Sequence, residues 1–169
     1  MQNNETLVNI VRFIVLVLVQ VLVLNHINFM GYINPYLYPL FILVFPLTGS
    51  KSYLIFFSFI LGLTIDMFGD SGGVHAAACV FSAWIRPVVL KYSFGVSYQL
   101  NTLKISTAPF SKRIVYIISM VLFHHLILFS MEIFNVSHIL LILKSTLFSG
   151  IFSVVLMICT VLLFSKKET

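Results

Sequence analysis

The sequence has very few charged residues for its length. Charged side chains make up 9% of the 169 residues, whereas hydrophobic side chains make up 60%. Soluble globular domains carry about 25% charged residues and about 45–50% apolar ones. A soluble fold of this size could not cover so much apolar surface with so few charges. The composition therefore excludes a soluble domain and predicts an all-α integral membrane protein.

Cysteines and catalytic motifs are also scarce. The two cysteines, Cys79 and Cys159, both lie in apolar runs, and the helix order proposed below places them near opposite membrane faces, too far apart for a disulfide. The sequence has no nucleophile elbow, phosphate-binding loop, dinucleotide-binding glycine pattern or CxxC pair. We therefore predict that the protein is not an enzyme and has no catalytic, cofactor-binding or metal site.

Histidines are the remaining candidates for chemistry inside the apolar runs. His124 and His125 are adjacent, so their side chains diverge by about 100° on a helix and do not easily face one metal ion. Hydrogen bonding between helices is the favoured interpretation. The alternative of a metal site formed by His75, Asp66 and Asp70 has no supporting ligand spacing in the sequence.

The apolar runs predict six transmembrane helices in one polytopic domain that covers residues 1–169. A helix needs about 20 apolar residues to cross about 30 Å of hydrocarbon, and the second run is shorter than that. Prolines bracket the second run. No small-residue cleavage site follows the first run, so we interpret the first run as a retained helix and not as a signal peptide. The runs cover residues 7–27, 36–47, 52–68, 74–90, 114–134 and 138–164.

Basic residues are distributed unevenly between the two sides of this predicted bundle. Six spans place both termini on one side, and the opposite connections, 28–35, 69–73 and 135–137, contain no Lys or Arg. Because short cytoplasmic loops are enriched in bases, both termini are predicted to lie in the cytoplasm of a bacterium, with the protein in its inner membrane. Topology thus explains the net charge of +5 better than nucleic-acid binding does. The bases on the terminal side are Lys51, Lys91, Lys104, Lys112, Arg113, Lys166 and Lys167.

Three ionisable residues, Asp66, Glu132 and Lys144, are predicted to lie at a similar depth near the outer face. A charge inside the membrane costs about 2.5–3.5 kcal/mol on insertion scales and is usually paired or faces a cavity. One interpretation is an ion or substrate site. The favoured one is an ion pair of Lys144 with a carboxylate that fixes helix packing, or carboxylates that reach the headgroups. Arg12 and Arg86 are close enough to the cytoplasmic ends of their helices to extend toward water.

The third and fourth runs carry a recognisable motif. A glycine is followed four residues later by an aspartate, then by a glycine-containing turn and an alanine-rich helix start. This pattern resembles the signature of the rod shape-determining protein MreD family, and Pro35 at the start of a short second helix fits it, as in members from Bacteroidetes. The motif reads Gly62-Leu63-Thr64-Ile65-Asp66-Met67-Phe68 and then Gly72-Gly73-Val74-His75-Ala76-Ala77.

The resemblance implies a non-enzymatic scaffold subunit of the bacterial cell-elongation complex, which regulates cell shape and peptidoglycan synthesis. Its partners would be an MreC-like bitopic membrane protein, a RodA-like glycosyltransferase and a class B penicillin-binding protein. The family's fold is similar to the substrate-binding subunits of energy-coupling-factor transporters, in which six helices surround a cavity. A substrate-binding subunit of a vitamin or small-molecule transporter is therefore the alternative function.

The longest polar stretch, residues 91–113, is predicted to be a cytoplasmic loop that contains Lys104, Lys112 and Arg113. These bases could contact an actin-like MreB filament. They could also serve only to orient the protein and to attract anionic membrane lipid. Both interpretations remain open on the sequence.

Overall fold

The computed structural model describes residues 2–29, 31, 33–47, 50–99, 103, 105 and 108–164, and these residues are mainly helical. Five helices are long and apolar enough to cross a membrane. Within the described residues the only strand-like pairing is a single bridge between Phe29 and Ile33. The α-helices are α1 (Gln2–Leu22), α2 (Leu40–Val44), α3 (Lys51–Gly69), α4 (Val74–Phe94), α5 (Val96–Gln99), α6 (Phe110–Ile133) and α7 (Ile139–Phe164), with 3₁₀ turns at Leu24–His26 and Val136–His138.

Large apolar side chains cover the outside of the bundle, and many polar side chains lie inside it. This distribution is the reverse of that in a soluble protein and suits a lipid solvent. The structure therefore confirms the prediction of an all-α membrane protein that crosses the bilayer several times. Examples of exposed apolar side chains are Leu7, Phe56, Trp84, Leu122 and Phe152, and examples of buried polar ones are Gln20, Ser58, His124, Ser149 and Ser153.

Neighbouring long helices pack in the order α1, α3, α4, α6 and α7. The connection between α3 and α4 is a four-residue turn, and the one between α6 and α7 is hardly longer, so each of these pairs is antiparallel. Segment 33–47, which links α1 to α3 and contains α2, is largely buried among these helices. The bundle is thus built around segment 33–47, which we call the central segment, and not around an open space.

The sequence predicted a second membrane helix over residues 36–47, and the structure differs here. Only Leu40–Val44 is α-helical, preceded by Pro39 and followed by Phe45 in an extended conformation with ψ of 142°. Pro46 explains the early end, because the residue before a proline is disfavoured in the helical region. The structure accordingly has five helices of membrane-spanning length where six were predicted.

Segment 33–47 nevertheless runs lengthwise through the bundle. The hydroxyl of Tyr38 lies 2.8 Å from His124 Nε2, whereas the carbonyl oxygen of Leu43 lies 3.1 Å from the hydroxyl of Tyr116. Since Tyr116 precedes His124 by eight residues, these contacts are about 12 Å apart along α6. The segment therefore runs antiparallel to α6, and the first residues of α1 lie at the same end of the bundle as the last residues of α7.

Bases gather at that end of the bundle, which we call the basic end. It contains the starts of α1, α3 and α6 and the ends of α4 and α7, and its bases are Lys51, Lys91, Lys112 and Arg113. The opposite end, which we call the turn end, holds the connections 70–73 and 134–138, which contain no Lys or Arg. Lys104, Lys166 and Lys167 lie outside the described residues.

Candidate functional site

The motif that carries the family resemblance forms the junction between α3 and α4. Gly62 of α3 faces the first turn of α4. A Cβ atom added at Gly62 would lie 2.5 Å from the carbonyl oxygen of His75 and 2.6 Å from the nitrogen of Ala76. Such distances are impossible for real side chains, so glycine lets the two helix backbones touch. Ala76 and Ala78 are also buried, as expected for close helix packing in a membrane.

The carboxylate of Asp66 caps the start of α4 from the neighbouring helix. It accepts hydrogen bonds from the backbone N–H groups of His75 at 3.0 Å and Ala76 at 2.8 Å, and from the hydroxyl of Ser71 at 2.6 Å. The first amides of a helix have no partner within the helix. Gly73, the residue in the N-cap position of α4, supplies no side-chain hydrogen bond. Asp66 supplies the missing acceptors.

This geometry changes the electrostatic interpretation of Asp66. The sequence places the carboxylate near the C-terminus of α3, where the helix dipole disfavours it. In the structure it lies at the N-terminus of α4, whose dipole favours a negative charge. The donors on α4 are the backbone N–H groups of His75 and Ala76 and not the His75 ring. Gly72 and Gly73 have positive φ angles of 67° and 96°, which allows the tight turn that brings α4 back to Asp66.

A continuous chain of hydrogen bonds begins at the ring of His75. The hydroxyl of Tyr38 lies 2.8 Å from His75 Nδ1 and 2.8 Å from His124 Nε2. The hydroxyl of Ser82 donates to the carbonyl oxygen of Ala78, so at 3.1 Å it accepts from His124 Nδ1. With neutral rings, Tyr38 then donates to His124 Nε2 and accepts from His75 Nδ1. This chain of hydrogen bonds ends on the backbone carbonyl of Ala78. It links α4, α6 and the central segment and does not continue across the bundle.

His125 belongs to a second, separate set of contacts. Its Nδ1 donates to the carbonyl oxygen of Val121 at 2.9 Å, and its Nε2 lies 3.1 Å from the hydroxyl of Ser153. Ser153 in turn accepts from the backbone N–H of Tyr36 at 2.9 Å. The two adjacent histidines therefore contact different partners. Among the described residues, no group of three metal-ligating side chains lies together.

Polar side chains of α1 and α7 form hydrogen bonds with the backbone of the central segment. Gln20 of α1 donates to the carbonyl oxygen of Pro35 at 3.1 Å and accepts from the N–H of Leu37 at 2.8 Å. Ser149 of α7 accepts from the N–H of Asn34 at 3.1 Å. Non-helical backbone at membrane depth is tolerated only where protein groups satisfy it. These residues explain how residues 34–37 can lie outside any helix inside the bundle.

Arg86 forms hydrogen bonds with the same segment, nearer the basic end. Its guanidinium donates to the carbonyl oxygens of Leu43 and Phe45 and to the hydroxyl of Tyr116. The last carbonyls of a helix such as α2 lack partners, and a cation there is favoured by the helix dipole. The sequence led us to expect Arg86 to extend toward the cytoplasm. The structure corrects this expectation, because Arg86 is only 4% exposed and is directed toward α2.

The structure does not bring Asp66, Glu132 and Lys144 together. Asp66 is buried at the α3–α4 junction, whereas Glu132 and Lys144 are exposed on α6 and α7. Within the described residues, none of the three takes part in an ion pair.

The predicted cytoplasmic contact residues are only partly described. Lys104 lies outside the described residues, and Lys112 is exposed in the first turn of α6. Arg113 is half-buried, with its guanidinium carbon 5.7 Å from the centre of the Phe110 ring.

Pro35 is buried in the central segment beside Gln20.

Several residues of this polar core were not predicted from the sequence. A glutamine in the first apolar run and a serine-rich stripe in the last one were the available signals, because polar side chains in membrane helices normally have a partner. Their partner, an extended chain segment, could not be seen in a pattern of helices. The residues concerned are Gln20, Tyr38, Ser82, Ser149 and Ser153.

Comparison of the chain with protein-family models, with the curated proteins and with the solved structures finds no match. The fold and the polar core therefore identify the class of protein and no particular family. The chain is an all-α, multi-pass membrane protein in which buried polar groups hold a central, partly extended segment.

Proposed function

We propose that this protein is a non-enzymatic membrane scaffold of the bacterial cell-elongation complex, similar to the MreD family. The observation that carries the proposal is the α3–α4 junction, in which three glycines and the aspartate of the motif have structural roles. Gly62 permits backbone contact, Asp66 caps α4, and Gly72 and Gly73 form the turn. A motif that builds a rigid junction suits a protein that acts through its shape.

The filled centre of the bundle favours a scaffold over the transporter alternative. A small-molecule site usually needs a cavity of about 300–1,000 Å³. Here, residues from the central segment, α3 and α6 meet in the interior with no exposed surface. The histidine and tyrosine groups beside them bond to other protein groups and so are not free to orient a substrate. Fully buried side chains are Tyr38, Ile42, Leu61, Ile65, Met120 and Leu128.

Partners would bind on the apolar outer faces of the helices and at the basic end. The outer faces suit the single helix of an MreC-like protein, and the helices of a RodA-like glycosyltransferase or class B penicillin-binding protein, through van der Waals packing. An MreB filament would contact the 91–113 stretch. Neutralising Lys104, Lys112 and Arg113 together tests that contact: rounded cells with normal insertion and membrane-partner binding support it, and normal cells contradict it.

The proposed location is the bacterial inner membrane with the basic end in the cytoplasm. Bases gather at one end of the bundle, and that end contains both the start of α1 and the end of α7. A fluorescent reporter that folds only in the cytoplasm should give signal when fused after Thr169 and none when inserted at Ser71. A dark fusion at Thr169 in a protein shown to be inserted would reject this orientation.

The scaffold role is tested by identifying what the protein binds. Affinity purification of the tagged full chain from its host, followed by mass spectrometry, should recover an MreC-like protein and elongation synthases. Depletion of the protein should turn rods into round cells. An Asp66→Leu variant should neither recover these partners nor maintain rod shape. Asp70→Asn, at an exposed turn position with a φ of 49°, should do both. Recovery of a pair of coupling ATPases would instead support the transporter.

A further inference from the structure

Three titratable side chains, His75, Tyr38 and His124, form a hydrogen-bonded row that begins at the turn end and leads into the bundle. We call it the histidine row. His75 is the second residue of α4, at the turn end, and remains 8% exposed. Tyr38 bridges its Nδ1 to Nε2 of His124, with both contacts at 2.8 Å. Tyr38 and His124 are fully buried, so the row joins the surface of the bundle to an interior imidazole.

The outer nitrogen of the histidine row is available to water. When Tyr38 accepts from Nδ1, the neutral ring of His75 carries its proton there and has a lone pair on Nε2. Among the described residues, none forms a hydrogen bond with this Nε2. The ring lies beside the turn 70–73, which is partly exposed. Water at the turn end is therefore the natural donor to Nε2 of His75.

The inner end of the row can hold an added proton. Nδ1 of His124 donates to the hydroxyl of Ser82 at 3.1 Å. A second ring proton on Nε2 would find its acceptor in the oxygen of Tyr38, once the hydroxyl hydrogen of Tyr38 points toward His75. The imidazolium of His124 would then donate to two hydroxyl oxygens, which meets the requirement that a buried charge be hydrogen-bonded.

Three coupled transfers bring a proton from water to His124. A hydronium ion gives its proton to Nε2 of His75, which passes its Nδ1 proton to the oxygen of Tyr38. Tyr38 passes its original hydroxyl proton to Nε2 of His124. Afterwards His75 is neutral with its proton on Nε2, Tyr38 is neutral and donates to Nδ1 of His75, and His124 carries the charge. Both hydrogen bonds of Tyr38 have reversed direction, and neither is lost.

The carboxylates near the histidine row favour a positive charge in it. Asp66 of α3 acts electrostatically on both His75 and Tyr38, and Glu132 of α6 acts on Tyr38. An opposite charge nearby stabilises the charged form of a titratable group. The neutral titratable groups beside the row are Tyr36 of the central segment, Cys79 of α4 and His125 of α6.

Cations of the described chain are directed away from the row. The guanidinium of Arg86 bonds to Tyr116, which lies about 12 Å from His124 along α6. On α1, Arg12 bonds within its own helix, and on α7, Lys144 is exposed. A proton at His124 therefore meets no like charge in contact with it among these residues.

We infer that His75, Tyr38 and His124 form a proton relay, through which His124 binds a proton taken from the turn-end side of the membrane. Histidines serve as proton shuttles, and ionisable residues inside membrane bundles commonly form proton relays. Beyond His124 the hydrogen bonds end at the carbonyl oxygen of Ala78, so the proton is held there and is not conducted across the membrane. The inference does not depend on the scaffold role.

Nitrogen NMR of the full chain, with isotope-labelled histidines in lipid nanodiscs, tests the relay. As the pH is lowered, His124 should gain a second ring proton. At the same midpoint, His75 should stay neutral and move its single proton from Nδ1 to Nε2. The unfolding temperature at each pH defines the range in which the bundle is folded. Double protonation of His75 with His124 unchanged would overturn the inference, and so would a His124 that keeps one ring proton throughout that range.

Matched controls separate the relay from general entry of water. Tyr38→Phe removes the bridging hydroxyl, so His75 should become doubly protonated alone and the response of His124 should be lost. An unchanged response of His124 would mean another path and would overturn the inference. His125 is equally buried but bonds outside the row, so its protonation together with His124 would also overturn it. If Tyr38→Phe does not fold, His75→Gln breaks the row at its outer end and should abolish the same response.

Discussion

The hairpin of α3 and α4 and the hairpin of α6 and α7 both join antiparallel helices through a short connection, but different contacts hold them together. In each hairpin the first helix is followed by a residue with positive φ, Asp70 at 49° and Phe134 at 42°. At Gly62 the backbones of α3 and α4 touch. At Gly150 of α7 an added Cβ would lie 3.9 Å from the nearest atom, a side-chain carbon of Val121, which is an ordinary contact.

The polar residues of the two hairpins also differ in purpose. Asp66 satisfies the backbone of its own hairpin. Ser153 of α7 instead accepts from the N–H of Tyr36 in the central segment, and it also bonds to His125 of α6. Gly62 and Asp66 therefore join α3 and α4 directly to each other, whereas Ser153 joins the α6–α7 hairpin to the central segment.

The largest expected effect comes from an added methyl group at Gly62. Gly62→Ala drives a Cβ into the backbone of α4, which cannot move aside as a flexible side chain would. We expect a loss of about 3 kcal/mol or more in stability, seen as a low yield of monodisperse protein and a lower unfolding temperature in detergent. Gly150→Ala is the matched control and should change stability by no more than about 1 kcal/mol. Equal effects at the two sites would contradict the distinction between the hairpins.

A somewhat smaller effect is expected at Asp66. Asp66→Leu leaves the buried N–H groups of His75 and Ala76 without acceptors, at about 1–3 kcal/mol each. Asp66→Asn retains one acceptor oxygen but turns an NH₂ group toward a donor, so its stability should be intermediate. The thermal unfolding series of wild type, Asn and Leu measures this order. A fully functional Leu variant would refute the capping role, and an Asn variant that is stable but inactive would show that the charge itself is needed.

Ser153 should show the dependence of the α6–α7 hairpin on the central segment. Ser153→Ala removes the acceptor of the Tyr36 N–H and the partner of His125 Nε2, at a cost of about 1–3 kcal/mol. Ser58→Ala is a close control, since Ser58 is fully buried and its hydroxyl has no partner within the described residues. It should be neutral or slightly stabilising. Protease accessibility of segment 33–47, together with unfolding temperature, distinguishes the two variants. Equal behaviour would mean that the hydroxyl of Ser153 does not hold the segment.

The smallest effects are expected at the exposed charges of the α6–α7 hairpin. Glu132→Gln and Lys144→Gln remove charges that take part in no ion pair among the described residues, so each should change stability by about 0.5 kcal/mol or less. A double-variant cycle in the same unfolding assay measures their coupling, which should be close to zero. A coupling above about 1 kcal/mol would restore the ion pair that was considered on the sequence.

Some features of the core could be predicted from the sequence because they depend on local pattern. The role of Gly62 in close packing follows from small residues on two neighbouring runs, and the importance of Asp66 follows from the cost of a carboxylate in a membrane. The partners of Asp66 could not be predicted, because the sequence does not show which helix start the carboxylate meets. Arg86 was misplaced for the same reason: its partners, Leu43 and Phe45, lie more than 40 residues away.

The lipid solvent, the positions of the five long helices and the end at which bases gather all follow from local sequence, because hydropathy and charge act residue by residue on insertion into a bilayer. The form of segment 33–47 depends instead on the folded bundle. Its prolines prevent a long helix, and an extended backbone at that depth is stable only when Gln20, Ser149, Ser153 and Arg86 meet its N–H and C=O groups. Those residues come from three different helices, so their convergence exists only in the folded bundle.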